Sequence, residues 1–267
     1  MMSCLFDTAH QCILAADPDD KIHLTHQAVQ AWQAGELVAM TTTPALAIAT
    51  PGQPKHLRLV CPKDVPRRRL GTADGQAALL HALTHIEFNA INLAWDAVYR
   101  FRELPKDFYD DWIQVAEEES QHFVLLREEL NNLGYDYGDL PAHNGLWETA
   151  LDTADDPLTR MALVPRVLEA RGLDATPPII AKLQLHQLDT IAKILQIILR
   201  DEIGHVAAGS KWFVHLCEQR NLIPEHTFRE VIHKQFKGRL KGVFNVEARL
   251  AAGFTQSELD TLKSLFG

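Results

Sequence analysis

The string EEESQHF, residues 117–123, sets Glu119 three positions before His122, and the string DEIGH, residues 201–205, repeats that order with Glu202 and His205. Alone, a Glu-x-x-His step is commonplace on salt-bridged helix surfaces. The surrounding residues decide otherwise. Trp112, Val115, Glu119, His122, Leu126, Leu130 and Leu133 follow one another at steps of three and four. The two polar residues therefore lie inside the apolar stripe of a helix rather than opposite it. Around the second string, Ile191, Leu195, Ile198, Glu202, His205, Gly209, Trp212 and Leu216 share a stripe in the same way. A third stripe, running from Leu80 through Leu83, Ile91, Ala94 and Val98 to Phe101, carries Glu87. A carboxylate aimed inward is costly unless it is paired, hydrogen-bonded or bound to a cation. A metal is a compensation that several inward glutamates can share.

The register of these residues supports a common centre. Glu87 and Glu119 are 32 residues apart, and their midpoint falls beside Leu104-Pro105-Lys106-Asp107, a turn signal. Closing a hairpin there sets the two glutamates side by side. Glu169 and Glu202 are 33 apart, which places a second turn near 185–186, with Asp189 as the cap of the following helix. Glu87 to Glu169 is 82 residues, while Glu119 to Glu202 and His122 to His205 are both 83. The order Glu, then Glu-x-x-His, thus occurs twice at nearly the same interval. Two helices giving one glutamate each and two giving Glu-x-x-His form the ligand set of ferritin-like carboxylate-bridged dimetal sites. At i,i+3 a carboxylate and an imidazole lie roughly 5–6 Å apart on one helix face. Four carboxylates balance two divalent cations, and mixed oxygen and imidazole donors suit iron or manganese.

The expected fold is all-α, a ferritin-like four-helix bundle of two hairpins with peripheral N- and C-terminal helices. The long crossover is residues 133–157. Three zones follow: residues 1–70, with one helix near Lys21–Glu36 and a Pro-rich stretch, residues 71–220 as the bundle, and residues 221–267 as a helical extension. That extension holds a short helix near 225–236, then the link GRLKGVFN and a last helix announced by the Thr255-x-x-Glu258 capping box. One break is expected in the third bundle helix. Gly172, Pro177 and Pro178 lie where it should continue, and Thr176-Pro177 resembles a fresh start. The helix should stop after Glu169 and resume near Thr176, leaving a loop 171–175 as a route for oxygen or substrate.

Composition narrows the classes. With 267 residues, 46% hydrophobic and 23% charged, the chain reads as a globular protein able to bury a real core. No run reaches the roughly 18 apolar residues that a membrane span needs. The start of the chain has no secretory pattern. Cys4, Cys12, Cys61 and Cys217 lack metal or disulfide spacing and fit reduced thiols in the cytoplasm. A net charge of −9 argues against a general nucleic-acid binder, although the run Arg67-Arg68-Arg69 keeps tRNA open as a substrate. His81 and His85 are i,i+4, but His85 points about 160° away from Glu87 on a helical wheel. They are expected to serve the core or a turn. His226 and His233 should line a peripheral helix, and Glu117, Glu128 and Glu129 should be solvated.

The segments DVPRRRLG (64–71), HIEFNAINLAWDAVYRF (85–101), LGYDYGDLPAHNGLWE (133–148), MALVPRVLEARGLDATP (161–177) and RDEIGH (200–205) carry a resemblance beyond the motif. Through them the chain resembles an uncharacterised bacterial ferritin-like family, known as a domain of unknown function, over residues 20–260. The resemblance implies a ferritin-like bundle and no particular reaction.

The expected centre is a pair of metal ions held by Glu87, Glu119, His122, Glu169, Glu202 and His205. Iron is the expected metal, with manganese or a mixed manganese–iron pair as alternatives. Glu87 and Glu169 would bridge or shift coordination and so act in catalysis. Asp201 would orient His122, and Glu118 would orient His205. The expected function is an oxygen-activating oxidase or hydroxylase acting with dioxygen on an unknown substrate. A ferroxidase or metal-handling role without organic substrate is the alternative, followed by a non-enzymatic bundle that a metal stabilises. No membrane partner is expected, and a homodimer is open.

Overall fold

A computed structural model describes residues 3–66, 69–235 and 243–266. Arg67 and Arg68 of the basic run and most of the GRLKGVFN link lie outside the described residues. The chain is predominantly helical, as expected, and folds as two compact units, Met1–Leu151 and Asp152–Gly267.

In the first unit, helix α1 (Leu5–Leu14) was not expected from the sequence. It is ten residues long and its N-cap, Cys4, makes no side-chain capping bond, so no start signal marks it. Burial of Leu5, Phe6, Ala9, Cys12 and Ile13 stabilises it instead. Helix α2 (Pro18–Gln33) begins three residues before the expected start. Asp17 accepts from the N–H groups of Asp19 and Asp20, and Pro18 sits where the missing donor costs nothing. The Lys21 amino group donates to Cys12 O, Ile13 O and Asn92 Oδ1 at 2.6, 3.0 and 2.7 Å. It thereby closes the carbonyl end of α1 and ties it to the next helix. Ser3–Cys4 (β1) and Leu37–Val38 (β2) form a short parallel pair.

Helix α3 (Ala73–Arg100), capped by Thr72, and helix α4 (Lys106–Asn132) make the expected hairpin. Its turn contains Glu103 at φ 75° and is closed by Tyr109, whose hydroxyl donates to Phe101 O and accepts from Leu104 N. Helix α3 is buried on nearly every side, more than one stripe requires. The crossover contains a further helix, α5 (Gly145–Asp152). His81 and His85 hold the loop before it. His81 Nε2 accepts from Gly138 N at 3.0 Å, while His85 lies 2.9 Å from the Tyr137 hydroxyl and 3.0 Å from His143 O. These are turn-satisfying histidines, as expected.

In the second unit, Asp156 caps helix α6 (Pro157–Leu163), which runs into a π turn, Val164–Glu169, and then into helix α7 (Ala170–Leu185). The expected break at 171–175 is absent. Helix α7 is continuous with Pro177 and Pro178 inside it. The irregularity lies upstream, where Pro165 can neither donate to the carbonyl four residues back nor fit its ring beside it in α geometry. Pro177 leaves Leu173 O without its helical donor, and Asn245 Nδ2 supplies one at 3.2 Å. A tertiary hydrogen bond thus replaces the one that sequence reasoning counted as lost.

Helix α8 (Asp189–Gln219) follows the expected second turn. Asp189 is its first residue, whereas the cap position is Leu188, which makes no side-chain bond. Helices α9 (Pro224–Gln235), α10 (Val246–Ala251) and α11 (Gln256–Phe266) complete the unit, α10 being unexpected. The Thr255–Glu258 capping box forms in both directions, at 2.9 and 3.1 Å. His226 and His233 are exposed on α9.

Candidate metal centre

Midway along the α3–α4 hairpin, three of the expected ligands meet. Glu87 comes from α3, and Glu119 and His122 come from one face of α4. His122 Nδ1 is 3.3 Å from Glu119 Oε2 and 3.5 Å from Glu87 Oε2. Donor atoms of all three residues lie within 4.8 Å of one another, and all three residues are buried. Phe88 and Phe123, each next in sequence to a trio member, are both buried and pack with ring centroids 5.3 Å apart and planes tilted by 52°.

Burial and mutual charge shape the electrostatics of the trio. Burial, then the Glu119 charge, push the Glu87 carboxyl up to about 8. Burial alone would lower the His122 imidazole, but the Glu119 and Glu87 carboxylates more than reverse this and hold it at about 11. Glu87 Oε2 accepts no hydrogen bond from any described residue. The trio therefore carries protons where its carboxylates would otherwise face a low dielectric unbalanced. Two carboxylates and one imidazole at this spacing fit a hard or borderline divalent cation. Such a cation must displace those protons, so its retention weakens as pH falls.

In the second unit, His205 is buried and its Nδ1 lies 3.9 Å from Glu202 Oε1 on the same face of α8. Glu169 is the last residue of the π turn and is half-buried. Among the described residues of that unit, no trio of close donor atoms includes it. Asp201 pairs with its neighbour Arg200 at 2.8 Å, and Glu118 accepts from Gln114 at 2.9 Å. Glu128 is exposed, while Glu117 and Glu129 are half-buried.

Several buried charges went unnoticed in the sequence, Lys21, Arg166 and Arg249 among them. Arg166, inside the π turn, is 1% exposed and pairs with Glu258 Oε2 at 2.7 Å. The capping box made Glu258 legible, but no local pattern announced its second partner, 92 residues away.

The chain belongs to a family described as "Protein of unknown function (DUF455)", which it matches over residues 14–260. It is similar to an uncharacterized protein of Haemophilus influenzae, with 52% identity over 214 residues, covering 78% of this chain and 74% of that one. No solved structure matches. No described helix is long and apolar enough to cross a membrane.

Proposed function

We propose that the chain is a ferritin-like dimetal protein, with iron as its metal, that uses dioxygen to oxidise or hydroxylate an organic substrate. The observation that carries this reading is the buried trio Glu87, Glu119 and His122. Two inward carboxylates and an imidazole on a helical hairpin have a clear use as metal ligands, and as core residues they would be a burden. Supporting it is the repeat of the same order in the second unit, where Glu202 and His205 share one face of α8. In this reading the two hairpins pair as a four-helix bundle, and Glu202, His205 and Glu169 complete the centre that the trio begins.

Two ferrous ions held by these residues would supply electrons for the reduction of dioxygen. The chain's own contribution is positioning and charge. Glu119 with His122, and Glu202 with His205, would each hold one ion. Glu87 and Glu169 would neutralise the charge of the ions and remain free to shift as ligands, and the buried Phe88–Phe123 pair would limit water. Asp201 orients His122 and Glu118 orients His205, so Asp201→Ala should weaken metal retention by roughly tenfold. Unchanged affinity in that variant would remove the role. With α7 unbroken, the expected loop 171–175 provides no route for oxygen, and oxygen chemistry rests on the donor set.

The decisive experiment is anaerobic titration of metal-free protein with ferrous ions, followed by oxygen. We expect about two ions per chain, weaker retention at lower pH, and a transient absorption on oxygen exposure. Failure to bind iron would end the dimetal reading. Accumulation of ferric iron well beyond two ions per chain would favour metal handling over substrate oxidation.

A further inference from the structure

Arg166 is an expensive residue in its position. Its side chain is fully buried, makes one ion pair, and leaves Nε and Nη1 without a hydrogen-bond partner among the described residues. Three rings take up the rest of the guanidinium: Phe213 of α8 at 4.8 Å, Phe228 of α9 at 4.1 Å and Phe254 at 4.6 Å. Cation–π contact offsets part of the desolvation cost. For stability alone, an apolar side chain of similar volume would serve as well or better. An arginine does something that a methionine would not: its charge and planar fork fix a geometry. Here it fixes the middle of the π turn to the first turn of α11, three residues before Glu169.

A second strap acts just after Glu169. Arg249 of α10, also fully buried, donates to Ala170 O at 3.2 Å and pairs with Asp174 at 2.7 Å. Asn245 reaches Leu173 O and takes the Asp174 carboxylate through its backbone N–H at 2.8 Å. On the α8 side, Pro165 presses on Gly209 so closely that a Cβ there would lie 2.3 Å from the proline ring. Glu169 is thus bracketed by fixed points at 165, 166 and 170, and two of the three are supplied by the C-terminal helices.

We infer that helices α9–α11 are a brace whose role is to hold the π turn so that Glu169 is presented to the metal centre, with Arg166 as the positioning residue. This rests on the dimetal reading above. It gives residues 224–266 a function that a bare four-helix bundle would not require.

The test uses full-length protein with Glu258→Ala and Glu258→Gln, since Glu258 holds Arg166 from α11 without lying in the turn. Metal-free protein is titrated anaerobically with ferrous ions, and hydrogen exchange is followed in parallel. In Glu258→Ala, exchange should quicken through residues 164–173 while the helix around His205 stays protected. The second ion should bind about tenfold more weakly, with the first unchanged. Glu258→Gln, whose amide oxygen still accepts from Arg166 and from Thr255 N, should recover most of both properties. If Glu258→Ala does not fold, Arg166→Lys replaces it, keeping the charge and losing the fork, with the same loss expected. Quickened exchange with unaltered binding of both ions would reduce the brace to a structural role and overturn the inference. Unaltered exchange would overturn it too. Wild-type protein that binds no iron would sink the dimetal reading itself, before any variant is made.

Discussion

The two units carry the same order of proposed ligands, Glu and then Glu-x-x-His, and hold it by different means. In the first, Glu87 lies near the middle of a 28-residue regular helix buried on nearly all sides. Its partners Glu119 and His122 come from one uninterrupted helix, and packing of the hairpin together with the polar contacts of His122 sets the trio. In the second, the equivalent glutamate ends a π turn, is half-buried, and depends on buried arginines for its surroundings. A ligand set in a straight buried helix is rigid by default. One on a π turn can be adjusted, but it needs external support to be placed at all. In the proposed dimetal reading, the first half-site is rigid and the second tunable.

The largest expected effect separates them directly. Glu119→Ala should weaken iron binding on the order of 100-fold or more, because it strikes the packed trio, whereas Glu169→Ala should cost about tenfold. Equal losses in isothermal or spectroscopic titration would break the distinction between the halves.

Acid should act on the first unit before the second. Burial pushes the His81 and His85 imidazoles down to about 4, so both are neutral where they hold the crossover loop. The unfolded chain takes up protons near pH 6.5 that the folded one refuses. Stability from these groups is therefore present above pH 6.5 and lost as pH falls from 6.5 through about 4. Hydrogen exchange in residues 133–144 should report it, and His81→Asn should flatten the dependence. An unchanged slope in that variant would count against the assignment.

Two glycines of the second unit should respond in opposite directions. Gly209→Ala forces a methyl group against Pro165 and should destabilise by about 2 kcal/mol, with the π turn displaced. Gly172→Ala meets nothing within 4 Å and lies in a continuous helix, so it should stabilise by roughly 0.5–1 kcal/mol. Thermal unfolding measures both. A destabilised Gly172→Ala would restore the break that the sequence suggested there.

Much of this was legible because it is local. Steps of three and four placed Glu87, Glu119 and His122 on buried faces, and Pro105 and Thr255-x-x-Glu258 marked a turn and a helix start that formed where expected. Helix α1 and helix α10 escaped because they are short and rely on burial or distant contacts for stability. The misplaced break at 171–175 has the same origin. Counting Gly172, Pro177 and Pro178 against the helix was sound locally, but the donor lost at Leu173 O is restored by Asn245, more than 70 residues further along. By itself, then, the sequence determined helical class, the α3–α4 hairpin and its inward carboxylates, since periodicity and capping act within one or two turns. Only tertiary structure decided that helix α7 runs unbroken through Pro177 and Pro178, what Arg166 pairs with and how the second-unit glutamate is held, because those outcomes depend on compensating partners that no local pattern encodes.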